Sequence, residues 1–262
     1  MADKETILKV SHLSKTFEGP VGTKKKLFDD INLNLSKGQF KSILAPLGSG
    51  KSTLLRIIAG LEKADSGEIF ITDSNVYTAK IAFIPSRPSS LPWLNVEKNI
   101  EYILKLIAKD SDAGKINEII NLVGLQGYEK HFANNKSIGF RFRISLARAL
   151  ASKPSLILID EPFNNLDFET KKEIYHLLND FHNKMDLTFL IATSNISEAV
   201  FLSDSVLVVK KNPIKILSEI EITLPKDRRI EIFTDELFDG IRKDIMNIYV
   251  SKSDYSLHSL TV

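Results

Sequence analysis

The chain contains no cysteine. That excludes disulfides, thiolate metal sites and a cysteine nucleophile, and it fits a reducing compartment. An excess of either charge is missing too. Thirty-five Lys and Arg face 33 Asp and Glu, and a net charge of +2 gives no case for a nucleic-acid backbone or an anionic membrane surface as partner. Long apolar runs are absent. Leu156 to Ile159 and Val206 to Val209 fall far short of the roughly 20 residues that span a bilayer. The opening MADKETILKV has early acidic residues and lacks the apolar region of a secretory signal. Work at a membrane is therefore expected to depend on another subunit. Twelve Gly and nine Pro exclude collagen-like and low-complexity architectures. What is present is an ordinary globular composition, 262 residues with 43% hydrophobic and 26% charged. It supplies one large core, or a core and a small satellite.

Short apolar runs alternate with helical patterns, which predicts an α/β protein. Ile31, Leu33 and Leu35 alternate with Asn32 and Asn34 as in a strand with one buried face. Phe40 to Ala45 reads as a buried strand, and Leu54, Leu55, Ile57 and Ile58 follow at helical spacing, closed by Gly60. Further strands are expected at Glu68 to Thr72, Lys80 to Ile84, Leu156 to Ile159, Thr188 to Ala192 and Ser205 to Val209. Between 95 and 153 the pattern turns helical. Asn95 is placed to cap one helix, and Asp112 another that ends at Gly124. Asp167 is placed to cap a long helix carrying Ile174, Leu177, Leu178 and Phe181. Alternation over Glu219 to Leu224 and a helical pattern over Leu237 to Ile248 form a small C-terminal appendage.

The sharpest signal is Ala45-Pro46-Leu47-Gly48-Ser49-Gly50-Lys51-Ser52-Thr53, between a strand and a helix as a Walker A loop requires. Glycines let backbone N–H groups turn inward around phosphate oxygens, and a helix N-terminus adds a favourable dipole. Lys51 would reach the β- and γ-phosphates, and Ser52 would ligate Mg²⁺. The competing reading is a chance glycine-rich turn carrying a lysine. The second signal is Leu156 to Pro162, LILIDEP. A strand ending in Asp160 sets a carboxylate beside the phosphate loop, where it can hold Mg²⁺ through water, and Glu161 is placed to polarise an attacking water as general base. The alternative is a strand that merely ends in a polar turn.

These motifs, with the helical insert between them, resemble the nucleotide-binding subunit of ABC transporters, over residues 6 to about 217. GSGKSTLLRIIAGLEKADSGEI, ISLARALASKP and LILIDEPFNNLD are close to the family's consensus. The resemblance implies an ABC-type P-loop NTPase with an antiparallel β subdomain. Its cassette would span 6–217, with a helical insert at about 95–153 and an appendage at 218–262. Leu8 to Phe17 looks like the N-terminal strand, and Phe17 falls where the family stacks an aromatic ring on adenine; a core aromatic under the sheet is the alternative. Asp167 matches the D-loop aspartate, which crosses the dimer interface. LPWLNVEKNI and the appendage most resemble the nitrate/sulfonate/taurine importer branch. The resemblance further implies ATP and Mg²⁺ as ligands and a site on the cytoplasmic face of the membrane, peripheral to it. Transmembrane permease subunits, a second nucleotide-binding subunit and a solute-binding protein are the implied partners, with no nucleic acid. Docking to the permease is expected around Ser86 to Asn99.

Three family motifs depart from the pattern. Ser86 stands where a glutamine contacts Mg²⁺ and the attacking water. The signature Leu-Ser-Gly-Gly-Gln, which clamps the γ-phosphate on the opposing subunit, is here Lys136-Ser137-Ile138-Gly139-Phe140. Ile138 puts a branched side chain where close backbone approach is wanted, and Lys136 adds either a charge contact or a solvated residue. Ser194 replaces the switch histidine that orients water and glutamate. Losing such a preorganised donor costs about 3 kcal/mol, roughly a hundredfold in rate. Three functions are thus weighed: a transport ATPase using Glu161 as base, a non-hydrolysing subunit in which ATP acts as dimer glue or regulatory ligand, and a soluble ABC protein outside transport. The chain's length disfavours the last.

Overall fold

The computed structural model describes residues 5–18, 22–72, 81–108, 112–134, 136–164, 166–185, 187–211 and 213–252. Lys80, expected to open a strand, lies outside them. So do residues 253–262 of the appendage.

Two long strands open the chain, β1 (Thr6–Glu18) and β2 (Lys24–Ser36). With β4 (Ser66–Ile71) they form a three-stranded antiparallel sheet in the order β2-β1-β4. In β2 Ile31, Leu33 and Leu35 are buried and Asn32 and Asn34 exposed, the alternation expected of a half-buried strand.

The second sheet holds β3 (Phe40–Leu44), β5 (Ile81–Ile84), β6 (Leu156–Asp160), β7 (Thr188–Thr193), β8 (Ser205–Lys210) and β9 (Lys215–Glu221), in the order β5-β6-β7-β3-β8-β9. Its first five strands are parallel, and β9 runs antiparallel to β8 at the edge. Strands β3, β6 and β7 are buried at every residue, because layers cover both faces of a parallel sheet. Such sheets bind ligands beyond the carboxyl ends of their strands.

Helix α1 (Lys51–Ile58) leaves β3 through the glycine-rich loop. It stops at Gly60, whose left-handed φ of +72° lets its amide reach the Ile57 carbonyl at 3.0 Å. The insert comprises α2 (Val96–Ala108), α3 (Ala113–Leu122) and α4 (Ile138–Ala151). The expected caps form: Asn95 accepts from the Lys98 amide at 2.8 Å and Asp112 from the Gly114 amide at 2.9 Å. Asn99 is fully buried, and its side chain bonds the Leu91 amide and the carbonyls of Leu91, Leu94 and Asn95, fixing the loop that exposes Trp93.

Helix α5 (Phe168–Met185) follows β6, and α6 (Ile196–Leu202) follows β7. A 3₁₀ turn at Ile230–Thr234 leads into α7 (Glu236–Lys252). The C-terminal segment packs on the main core rather than beside it. Strand β9 straddles residue 217, and Ile222, Leu224, Phe238, Ile245 and Tyr249 belong to the core cluster that contains the insert. Buried Arg228 fastens the connection by donating to the carbonyls of Val200, Phe201 and Ser203 at the end of α6. Burial pulls its guanidinium down to about 10.

Candidate functional site

Strand β7 organises the site, because the loops leaving β3 and β6 both hang on its last residues. The Ala45 amide donates to the Thr193 carbonyl at 3.1 Å, and the Glu161 amide to the Ala192 carbonyl at 2.8 Å. The phosphate loop, the Asp160-Glu161 pair and Ser194 are thereby brought side by side.

The loop itself requires glycine at two points. Gly48 has φ +68° and Gly50 φ +108°, both in the region that L side chains avoid. A Cβ on Gly50 would also fall 2.6 Å from Leu27 Cδ1. Pro46 is buried, Leu47 sits exposed on the crest, and Ser52 and Thr53 are half-buried in the first turn of α1. Among the described residues Ser49 Oγ is buried with no hydrogen-bond partner. An orphaned hydroxyl in a cradle of backbone amides suits an anionic oxygen ligand.

Lys51 is buried, and its Nζ lies 2.6 Å from Glu161 Oε1 and 3.2 Å from the Pro46 carbonyl oxygen. Ser52 Oγ donates to Asp160 Oδ1 at 3.0 Å. Burial pushes the Asp160 carboxyl up, and Ser52 and Lys51 oppose that shift. Glu161 holds φ at +42°, a left-handed conformation that a non-glycine residue adopts at a cost of about 1–2 kcal/mol. Ser194 Oγ reaches Glu161 Oε2 at 3.5 Å, the long limit of a hydrogen bond.

The signature and D-loop residues meet on the neighbouring helices. Ser137 caps α4 by accepting from the Phe140 amide at 3.2 Å, and Lys136 Nζ lies 5.6 Å from the Phe140 ring centroid. Ile138 is half-buried. Gly139 is buried against α5, where a Cβ would come within 2.3 Å of Thr170 Cγ2. Thr170 is in turn bonded by Asp167, whose Oδ1 accepts from its amide at 2.9 Å and Oδ2 from its hydroxyl at 2.7 Å. These bonds hold the Asp167 carboxyl below the usual carboxylate range. Ser86 is exposed two residues beyond the end of β5, level with Glu161 beyond β6. Phe17 is 41% exposed near the end of β1, so it is not a core aromatic under the sheet.

A buried polar cluster adjoins Ser194. Buried Glu198 on α6 accepts from Thr193 Oγ1 at 2.7 Å and Tyr175 Oη at 3.2 Å, with Lys171 Nζ at 3.4 Å. Burial pushes its carboxyl up, opposed by Thr193 and Lys171. Asn195 followed three residues later by Glu198 is a capping-box spacing, and Asn195 Oδ1 does accept from the Glu198 amide at 3.0 Å. The glutamate side chain, however, turns inward to Thr193, beside Ser194. Tyr175 sits in an aromatic group with Phe163, Phe201 and Phe233, so this corner is rigidly packed.

A glycine-rich loop between a buried parallel strand and a helix, faced by two consecutive carboxylates at the carboxyl end of β6, defines a P-loop nucleotide-binding protein. Residues 28–164 match the ABC transporter family. The aliphatic sulfonates import ATP-binding protein SsuB of Bacillus cereus (strain ZK / E33L) is 36% identical over 240 residues, covering 90% of this chain and 93% of its own. SsuB of Bacillus subtilis (strain 168) is 35% identical over 238 residues, covering 89% and 91%. Among solved structures, the dimeric ATP-binding cassette MJ0796 bound to ADP and Pi superposes with a TM-score of 0.73 at 28% identity, over 84% of this chain and all of that one. The chain belongs to the ABC transporter family, as an ATP-binding cassette.

Proposed function

We propose that this chain is the ATP-binding subunit of an importer, that it binds MgATP, and that it hydrolyses ATP slowly unless partners complete its site. The observation carrying this reading is the buried Lys51 held between the phosphate loop and Glu161, with Ser52 and Asp160 paired alongside. Backbone amides within residues 47–53 and Lys51 hold the phosphates, the orphaned Ser49 hydroxyl supplies a further donor, and Phe17 stacks on the base. Ser52 and Asp160 form a pair of hard oxygens that fits Mg²⁺, which when bound neutralises charge on the phosphate oxygens. Glu161 is the general base for the attacking water. Ser194 reaches Glu161 at the long limit of a hydrogen bond, and Ser86 is exposed and short, which supports weak turnover by the chain alone. Ser137, Ile138, Gly139 and Phe140 face the nucleotide of a second subunit, with Asp167 at that interface.

Importer function is supported by relatives named as import ATP-binding proteins, and dimer formation by the dimeric cassette. Among the described residues no helix is long and apolar enough to cross a membrane. Attachment to the cytoplasmic face of the membrane through permease subunits, over the loop that exposes Ser86 and Trp93, completes the proposal. An ATP titration of wild type and Lys51→Ala tests it. Binding is expected in the first and lost in the second, and equal affinities would remove the phosphate-loop assignment.

A further inference from the structure

Strand β1 ends in Ser14-Lys15-Thr16-Phe17-Glu18, and the loop joining α1 to β4 closes over it. Lys15 Nζ donates to the Lys63 carbonyl oxygen at 2.7 Å and to Asp65 Oδ1 at 3.3 Å. Asp65 Oδ2 accepts from the Thr16 amide at 2.6 Å, and the Asp65 amide donates to the Ser14 carbonyl at 3.0 Å. These bonds set the Lys15 ammonium over the Phe17 ring, 5.3 Å from its centroid, which is cation–π range. The Lys15 side chain is only 14% exposed, whereas Phe17 is 41% exposed. One face of the ring thus carries a cation of the protein itself, and the exposed remainder is what a ligand can reach.

We propose that Lys15 and Asp65 form a brace that makes Phe17 a one-sided platform for the adenine base, raising affinity for the base without touching the nucleotide. The inference rests on the assignment of Phe17 to the base in the proposed function. Three physical effects converge on it. A ring held in one rotamer loses less entropy when a base stacks on it. A cation on one face draws π density from the other, which eases stacking of an electron-rich purine. The bracing loop also leaves directly from α1, whose first turn belongs to the phosphate loop, so base platform and phosphate cradle are referenced to one rigid helix. The Thr16 amide, with Lys15, holds the Asp65 carboxyl below the usual range, so the brace stays charged at neutral pH. An ion pair with a partner this exposed contributes little to folding. The effect belongs to base recognition.

The test is a titration of ATP and of inorganic tripolyphosphate into the full chain and five variants. These are Phe17→Ala, Lys15→Met, Lys15→Arg, Asp65→Ala and the double variant Phe17→Ala with Lys15→Met. Tripolyphosphate lacks the base, so it reads the phosphate loop and the fold. Lys15→Met and Asp65→Ala are each expected to weaken ATP binding about three- to tenfold, with tripolyphosphate changed by less than about twofold. Lys15→Arg should retain most of the affinity, and Lys15→Met should add nothing once Phe17 is Ala. Losses of equal size on ATP and tripolyphosphate overturn the brace, and so does an equal loss from Lys15→Met with and without the ring. If Phe17→Ala weakens ATP while Lys15→Met and Asp65→Ala do not, the brace falls and the platform stands. If Phe17→Ala has no effect, the platform assignment falls and takes the brace with it.

Discussion

Replacing Glu161 with Gln removes one charge from an ion pair whose side chains are 4% and 8% exposed, at a nitrogen–oxygen distance of 2.6 Å. Lys51 then keeps neutral acceptors, the new amide's oxygen and the Pro46 carbonyl at 3.2 Å, and the more distant attraction of Asp160. Leaving one member of a buried pair without its partner costs about 3–5 kcal/mol, and the Asp160 charge puts the expected value near the lower end. For a chain of this size, about 3 kcal/mol lowers the unfolding midpoint by roughly 6–12 °C. Polyphosphate returns a counter-charge to Lys51, so saturating MgATP should close more than half of that gap. Differential scanning calorimetry of wild type and Glu161→Gln, with and without MgATP, makes the measurement. A nucleotide-free midpoint within about 2 °C of wild type would show that the pair contributes nothing. A gap that MgATP leaves unchanged would show that Lys51 does not meet the phosphates. Either result refutes the reasoning. A further control is the double variant with Lys51→Ala, which should be less destabilised than the sum of the single changes, because each single change strands a buried charge.

Restoring Ser194→His together with Ser86→Gln should raise ATP turnover by at least about tenfold, since one positioned donor is worth about a hundredfold; an unchanged rate would mean those positions do not limit it. Tyr175→Phe removes one bond to Glu198 and keeps the aromatic packing. Hydrogen exchange across residues 193–198 should quicken, with the phosphate loop unaffected, and unaltered exchange would deny Glu198 its hold on the Ser194 loop. Asp160→Asn should stabilise the nucleotide-free chain at neutral pH. Burial raises this carboxyl above its ordinary 3.8, so ionising it costs more in the folded chain than in the unfolded one. The resulting penalty grows as pH rises from about 3.8. The gain should therefore vanish in acid, and a stabilisation independent of pH would contradict the cause given.

The sequence carried those parts of the fold that local rules decide. The caps at Asn95, Asp112 and Asp167 are set by a side chain reaching an amide two or three residues on, so spacing alone revealed them. The phosphate loop was legible for the same reason, because its glycines answer a local backbone demand at Gly48 and Gly50. Helix α6 was not recognised, since its seven residues, Ile196 to Leu202, are too few for a period to show. The left-handed Glu161 and its ion pair with Lys51 join residues 110 apart in the chain, from positions 51 and 161, and only the adjacency of β6, β7 and β3 creates them. Gly139 illustrates the limit from the other side. Its place in the signature was legible, but its packing against Thr170 of α5 needed the fold. The appendage boundary at 217 followed a change of pattern, whereas β9 joins the main sheet across it and Arg228 ties the C-terminal segment to α6.

Steady-state ATP turnover by the purified chain, measured with Mg²⁺ and beside Glu161→Gln, tests the central claim most directly. Ordinary enzymes turn over at about 10 per second, so the hundredfold loss assigned to Ser194 predicts a rate near 0.1 per second or below, abolished by Glu161→Gln. A rate of about 1 per second or more from the chain alone, still dependent on Glu161, would contradict it.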